Sequence, residues 1–374
     1  MSWIKVIFLN ILIIFSLIGM ILLAPPILYP IYKIVSGVNN NSKNIDKRAK
    51  LDLYNDISWA EKHFFEFAEL STTYYDYITW RRDDFTGETI NISDGVRKTS
   101  IPQIQNNDIP DYYFFGGSTT WGTGVNDANT YPSLFAERLK TRVYNFGETG
   151  YIARQSLAYL NNFLIVNSIN DISGKHVVFY DGVNDVVSRC RSENSELGTA
   201  RQKQIQKKLT LNQKFNSEYS FSKLFEQLKS FLQATIRKLD KKNTQKLTEQ
   251  FYNCSSNSAR AEEIARTLVE TWQTASDLVT KRGGNFTAIL QPVAFIGDPY
   301  INYLDLTSGN DLSKSMQYKA VYPLIRQYAK AKNFEFVDLS LVYDKCDNCY
   351  IDFAHVGPQA HQILVESLVY KLVR

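Results

Sequence analysis

Apolar and polar positions divide this chain into stretches of different period. From Val6 to Ala24 the residues are almost wholly apolar, interrupted only by Asn10, Ser16 and Gly19. Nineteen helical residues at about 1.5 Å each span roughly 29 Å, close to the ~30 Å hydrocarbon core of a bilayer. The run predicts an uncleaved signal anchor. A cleaved signal peptide is the rival, but its apolar region is usually shorter, and no small-x-small site precedes Pro25-Pro26. The polar run Asn39-Asn40-Asn41-Ser42-Lys43-Asn44 reads as a flexible linker. Leu53, Trp59, Phe64 and Phe67 then set a helical spacing over about residues 51–70. Tyr, Thr and Trp concentrate between Tyr74 and Thr99, with turn signals at Thr86-Gly87 and Asp94-Gly95, which predicts strands or a hairpin.

From Tyr112 onward, strand and helix patterns alternate. Strands are predicted at Tyr112–Phe115, Val143–Phe146, His176–Tyr180, Phe286–Leu290 and Phe334–Val337. Helices are predicted at Tyr131–Leu139 and at about 155–166, 260–281, 317–331 and 358–372. This alternation calls for a parallel sheet covered by helices on both faces, a flavodoxin-like three-layer α/β/α fold. Ligands bind such a sheet beyond the carboxyl ends of its strands. The expected organisation is an anchor with its flank over 1–38, a linker over 39–50 and an accessory region over 51–108 that packs on the main domain. The main domain covers 109–374 and carries a Lys- and Gln-rich helical insertion over about 188–258. Phe221, Leu224, Phe225, Leu228, Phe231, Leu232, Ile236 and Leu239 follow helical spacing within that insertion. Such a helix packs on the domain, covers a pocket or faces the membrane.

Composition adds bounds rather than an activity. The apolar fraction of 44% and charged fraction of 21% are those of an ordinary globular protein. A net charge of +4 gives no reason to invoke nucleic acid. Trp80-Arg81-Arg82 lines an anionic site or simply packs on the main domain. The basic residues Lys33, Lys43, Lys47, Arg48 and Lys50 lean toward a cytoplasmic main domain, although the last three lie at or beyond the reach of the positive-inside rule. The four cysteines lean the other way, because two disulfides, Cys190–Cys254 and Cys346–Cys349, suit an oxidising compartment. Zinc is the competing use of Cys346-Asp-Asn-Cys349, but only one such pair is present. The balance favours a periplasmic, membrane-tethered domain.

Candidate chemistry gathers at one edge of the predicted sheet. Ser118 follows the first strand in Gly116-Gly117-Ser118-Thr119. No Gly-Lys-Ser/Thr follows it, and Gly122-Thr123-Gly124 lacks the third glycine of a dinucleotide fingerprint. Asn145-Phe146-Gly147-Glu148-Thr149-Gly150 and Asp181-Gly182-Val183-Asn184-Asp185 end the second and third strands. Glycine N–H groups and an Asn amide are the donors that an oxyanion needs. Of the four histidines, only His355 lies in a loop at that edge, with Asp352 three residues before it.

In these four blocks, taken in order, residues 110–374 resemble the SGNH (GDSL-like) hydrolase family. The resemblance implies a Ser118 nucleophile, a triad completed by Asp352 and His355, and an oxyanion hole of Ser118, Gly150 and Asn184. It implies neither a cofactor nor a metal. One departure is Gly117, where the family's first block has aspartate, which puts turn geometry and substrate preference in question. No Gly-x-Ser-x-Gly elbow is present, against a true α/β-hydrolase. Family tendency and the tether point to an O-acyl ester, foremost an O-acetyl group of a cell-envelope or surface polysaccharide, hydrolysed or passed to another hydroxyl. A lipid-directed esterase or thioesterase and a catalytically silent glycan-binding module are the alternatives. Oligomeric state is open.

Overall fold

The computed structural model describes residues 46–103, 109–192, 194, 202, 205 and 252–373. The apolar run at 6–24, the polar run at 39–44 and the amphipathic pattern at 221–239 lie outside them. Among the described residues, no helix is long and apolar enough to cross a membrane.

Two 3-10 turns, Lys47–Lys50 and Asp52–Tyr54, lead into α1 (Ala60–Glu69). The helix expected over 51–70 therefore occupies only the second half of that range. Asn55 and Asp56 favour turns, and the N–H groups of Ile57 and Ala60 donate three residues back, to Tyr54 and Ile57, instead of four. Next come β1 (Thr72–Tyr75) and β2 (Thr79–Arg82), an antiparallel hairpin. A second antiparallel ribbon follows: β3 (Phe85–Thr86), β4 (Asn91–Ser93) and β5 (Val96–Arg97). Asp94 (φ 51°) and Gly95 (φ 67°) both sit at positive φ between β4 and β5, the conformation a type I′ hairpin turn needs.

The five expected strands form as β6 (Asp111–Gly116), β7 (Val143–Gly147), β8 (Lys175–Asp181), β9 (Asn285–Leu290) and β10 (Glu335–Asp338). All their mutual pairings are parallel. The sheet order is β10-β9-β8-β6-β7, and β5-β4-β3 continue it past β7 through the pair Arg97↔Asn145. Counting only the parallel strands by chain order, this is 2-1-3-4-5, the flavodoxin-like arrangement. Side chains of β6 alternate between two cores: Tyr113 and Phe115 enter one, Tyr112 and Phe114 the other. Burial on both faces is why that strand reads as an unbroken apolar run.

The helices are α2 (Ser118–Trp121), α3 (Tyr131–Leu139), α4 (Ala153–Val166), α5 (Val183–Arg189), α6 (Ser258–Thr280), α7 (Gly309–Lys330) and α8 (Pro358–Leu372). α7 begins well before the expected residue 317. Its first turns are polar and carry little apolar period, and the Ser308 side chain caps them by accepting from Asp311 N–H. Both expected disulfides form, Cys190–Cys254 and Cys346–Cys349, which leaves neither pair of thiolates for zinc. The first staples the base of the insertion, where Asn253 N–H also donates to Cys190 O and Arg191 pairs with Tyr252.

Candidate active site

Ser118 begins α2, immediately beyond the carboxyl end of β6. Asp352 and His355 lie in the loop between β10 and α8. The structure brings the three together, half-buried. His355 Nε2 is 2.7 Å from Ser118 Oγ, and His355 Nδ1 is 2.7 and 2.9 Å from the two oxygens of Asp352. An Nδ1–H facing a carboxylate leaves Nε2 as the acceptor for the serine hydroxyl. Asp352 Oδ1 also accepts from the N–H groups of Ala354 (2.9 Å) and His355 (2.8 Å), so the Asp-Phe-Ala-His block folds around its own carboxylate. Burial works to raise the Asp352 carboxyl, but the His355 ring and these N–H donors outweigh it and hold it well below the usual range.

The three oxyanion candidates come from three strand ends. Asn184 is the second residue of α5, after β8, and its Nδ2 donates to Tyr151 O at 2.8 Å. A primary amide nitrogen carries two hydrogens, so this bond fixes the side chain and leaves one N–H to donate elsewhere. Asn184 Nδ2 also lies 2.5 Å from the place a Cβ on Gly117 would occupy. Gly117 has an ordinary φ of −84°, so a side chain there meets a limit of space, not of backbone freedom: a Cβ at 117 requires the end of the Asn184 side chain to shift. Gly150 follows β7, is exposed, and has φ +79°, a left-handed conformation that favours glycine.

The loop carrying Gly150 is braced by β2. Arg82 N–H donates to Glu148 Oε2 (2.8 Å), Arg82 Nη2 to Thr149 Oγ1 (3.0 Å) and Trp80 Nε1 to Thr149 O (3.3 Å). Tyr151 hydroxyl donates back to Trp80 O. Arg82 further packs over the rings of Phe67 and Trp121. Trp80 and Arg82 therefore serve packing, the second of the two expected uses of Trp80-Arg81-Arg82. Burial pushes the Glu148 carboxyl up despite the pull of Arg82.

Two further residues, one of them within the Asp181–Asp185 block and given no role by the sequence, stand near the site. Asp185, beside Asn184, accepts from Ala153 N–H at 3.2 Å and so ties α5 to the start of α4, just past Gly150 and Tyr151. Burial raises its carboxyl to about 6, with Arg189 pulling the other way. Arg48 reaches Asp352 Oδ2 with Nη1 at 3.1 Å. In the sequence it stands only as one of the basic residues after the apolar run. Both contacts are long-range, and no local spacing signals them.

Among the described residues, no group of three His, Cys, Asp or Glu side chains is placed to hold a metal ion. His63, His176 and His361 are buried away from Ser118. His63 Nε2 accepts from Gly124 N–H (3.1 Å), His361 Nδ1 accepts from Tyr131 N–H (2.8 Å), and His176 Nε2 pairs with Thr287 Oγ1 (2.8 Å).

No protein-family model matches the sequence, and no curated protein matches it. Solved structures similar to this one include a member of the lipolytic protein G-D-S-L family from Veillonella parvula DSM 2008, at 12% identity and TM-score 0.41, covering 71% of this chain and 98% of that one. A catalytic mutant of Axe2, an acetylxylan esterase from Geobacillus stearothermophilus, is similar at 12% identity and TM-score 0.37, covering 70% and 93%. LAE5, an alpha/beta hydrolase enzyme from the metagenome of Lake Arreo, Spain, is similar at 13% identity and TM-score 0.36, covering 70% and 94%.

Proposed function

We propose that this chain is a serine esterase acting on O-acyl esters, foremost O-acetyl groups of a cell-envelope carbohydrate. The observation that supports it most directly is the continuous hydrogen-bonded line Ser118 Oγ, His355 Nε2, His355 Nδ1, Asp352 Oδ2. As Ser118 Oγ attacks the ester carbonyl, His355 takes its proton, and Asp352 orients the ring and stabilises its cation. The N–H groups of Ser118 and Gly150 and the second amide hydrogen of Asn184 stabilise the negative oxygen. His355 returns the proton to the departing alcohol, and water, or a second hydroxyl in a transferase, releases the acyl group.

The acetyl-carbohydrate substrate rests on the four-block resemblance, not on a contact. Membrane attachment rests on the apolar run at 6–24. An extracytoplasmic domain is favoured by the two disulfides, which a reducing cytoplasm does not maintain. The test is hydrolysis of p-nitrophenyl acetate, then of acetylated polysaccharide, by wild type and by Ser118→Ala and His355→Ala. Each variant is expected to lose all but a residual rate about 10³–10⁴-fold above water while staying folded. Near-normal turnover in either one contradicts the assignment.

A further inference from the structure

Arg48 sits in the turn Lys47–Lys50, and its Nη1 donates to the same Asp352 oxygen that lies 2.7 Å from His355 Nδ1. The guanidinium carbon stands 5.2 Å from the ring centroid of Phe64 and 5.9 Å from that of Phe67, both on α1. A planar cation held between aromatic faces and a carboxylate has few other places to go. Ala49, Tyr54, Ala60 and Phe64 share one apolar cluster with Ile351, the residue before Asp352. The segment bearing Arg48 is thus packed directly on the Asp352 loop. Among the described residues, Asp352's other donors belong to that loop, so Arg48 is the contact there that ties its carboxylate to another part of the fold.

We propose that Arg48 is a positioning residue of this site: it fixes the Asp352 carboxylate against His355. The inference rests on the esterase reading. Other groups facing these residues are Ser118 from α2, the Tyr318 phenol of α7 beside Asp352, His63 of α1 beside Arg48, and Lys314 over the Phe353 ring. Burial holds Tyr318 well above and His63 well below their ordinary values, and Lys314 is paired with Asp311. Among the described residues, Arg48 is the cation in direct side-chain contact with the Asp352 carboxylate, apart from the His355 ring itself.

Full-length wild type, Arg48→Gln and Arg48→Lys are compared in kcat and KM on p-nitrophenyl acetate, with thermal melts alongside. Arg48→Gln is expected to lose roughly tenfold in kcat with KM little changed, and Arg48→Lys, which keeps a charged donor, is expected to recover part of that loss. An active wild type whose kcat is matched by Arg48→Gln overturns the inference and leaves the esterase standing, as does a loss that merely tracks a lower melting temperature and is not reduced in Arg48→Lys. A folded wild type that neither turns over the ester nor accepts a fluorophosphonate overturns both.

Discussion

Asn184 shows how much one side chain is asked to do. Its amide bridges from α5 to the Tyr151 carbonyl and abuts the backbone at Gly117, next to Ser118. If its second N–H serves the oxyanion, Asn184→Ala lowers kcat by about 10²–10³ with little change in KM. Gly117→Ala, whose Cβ meets that amide at 2.5 Å, is expected to act in the same direction by displacing it. Steady-state kinetics of both variants check this; a large rise in KM at unchanged kcat makes Asn184 a ground-state binder. Ser118, Asp352 and His355 were legible because each stands at a strand end or in the loop before the last helix. Arg48 was not: its partner lies 304 residues away, and only the fold joins them.

At the level of elements, the two disulfides act on different quantities. Cys190–Cys254 spans 64 positions, and on the chain-entropy argument closing such a loop contributes about 4 kcal/mol. Cys346–Cys349 spans only three, so it restrains the unfolded chain little. It lies instead beside Tyr350 and Val356, which bridge the two ends of the Asp352–His355 loop. Cys190→Ser with Cys254→Ser is therefore expected to lower the melting temperature strongly. Cys346→Ser with Cys349→Ser is expected to lower kcat more than stability. Equal thermal losses in the two double variants count against this division. Buried strands and amphipathic helices declared themselves through their period. The ribbon β3–β5 did not declare its place, since nothing in two- and three-residue strands says that they extend the sheet beyond β7. The start of α7 was obscured for a different reason: a capped but polar first turn carries no apolar stripe.

At the scale of the whole molecule, buried titratable groups make stability respond to acid. His361 is fully buried, and burial holds it to about 3, below an unfolded value of about 6.5. The stability it contributes is complete above about pH 6.5 and is lost as pH falls toward 3, because the unfolded chain then binds the extra proton. His176, held to about 4, has the same sign; Asp185, raised to about 6, has the opposite one, its contribution being lost as pH rises. His361→Gln, which keeps an acceptor for Tyr131 N–H, is expected to flatten the fall in melting temperature between about pH 7 and pH 4.5. An unchanged fall contradicts this. The esterase proposal stands on an activated serine, and the most direct measurement is covalent labelling of the purified full-length protein with a fluorophosphonate, the adduct located by peptide mass mapping. The account predicts a single adduct on Ser118 that disappears in His355→Ala; a folded protein left unlabelled, or labelled at another residue and indifferent to Ser118→Ala, contradicts it.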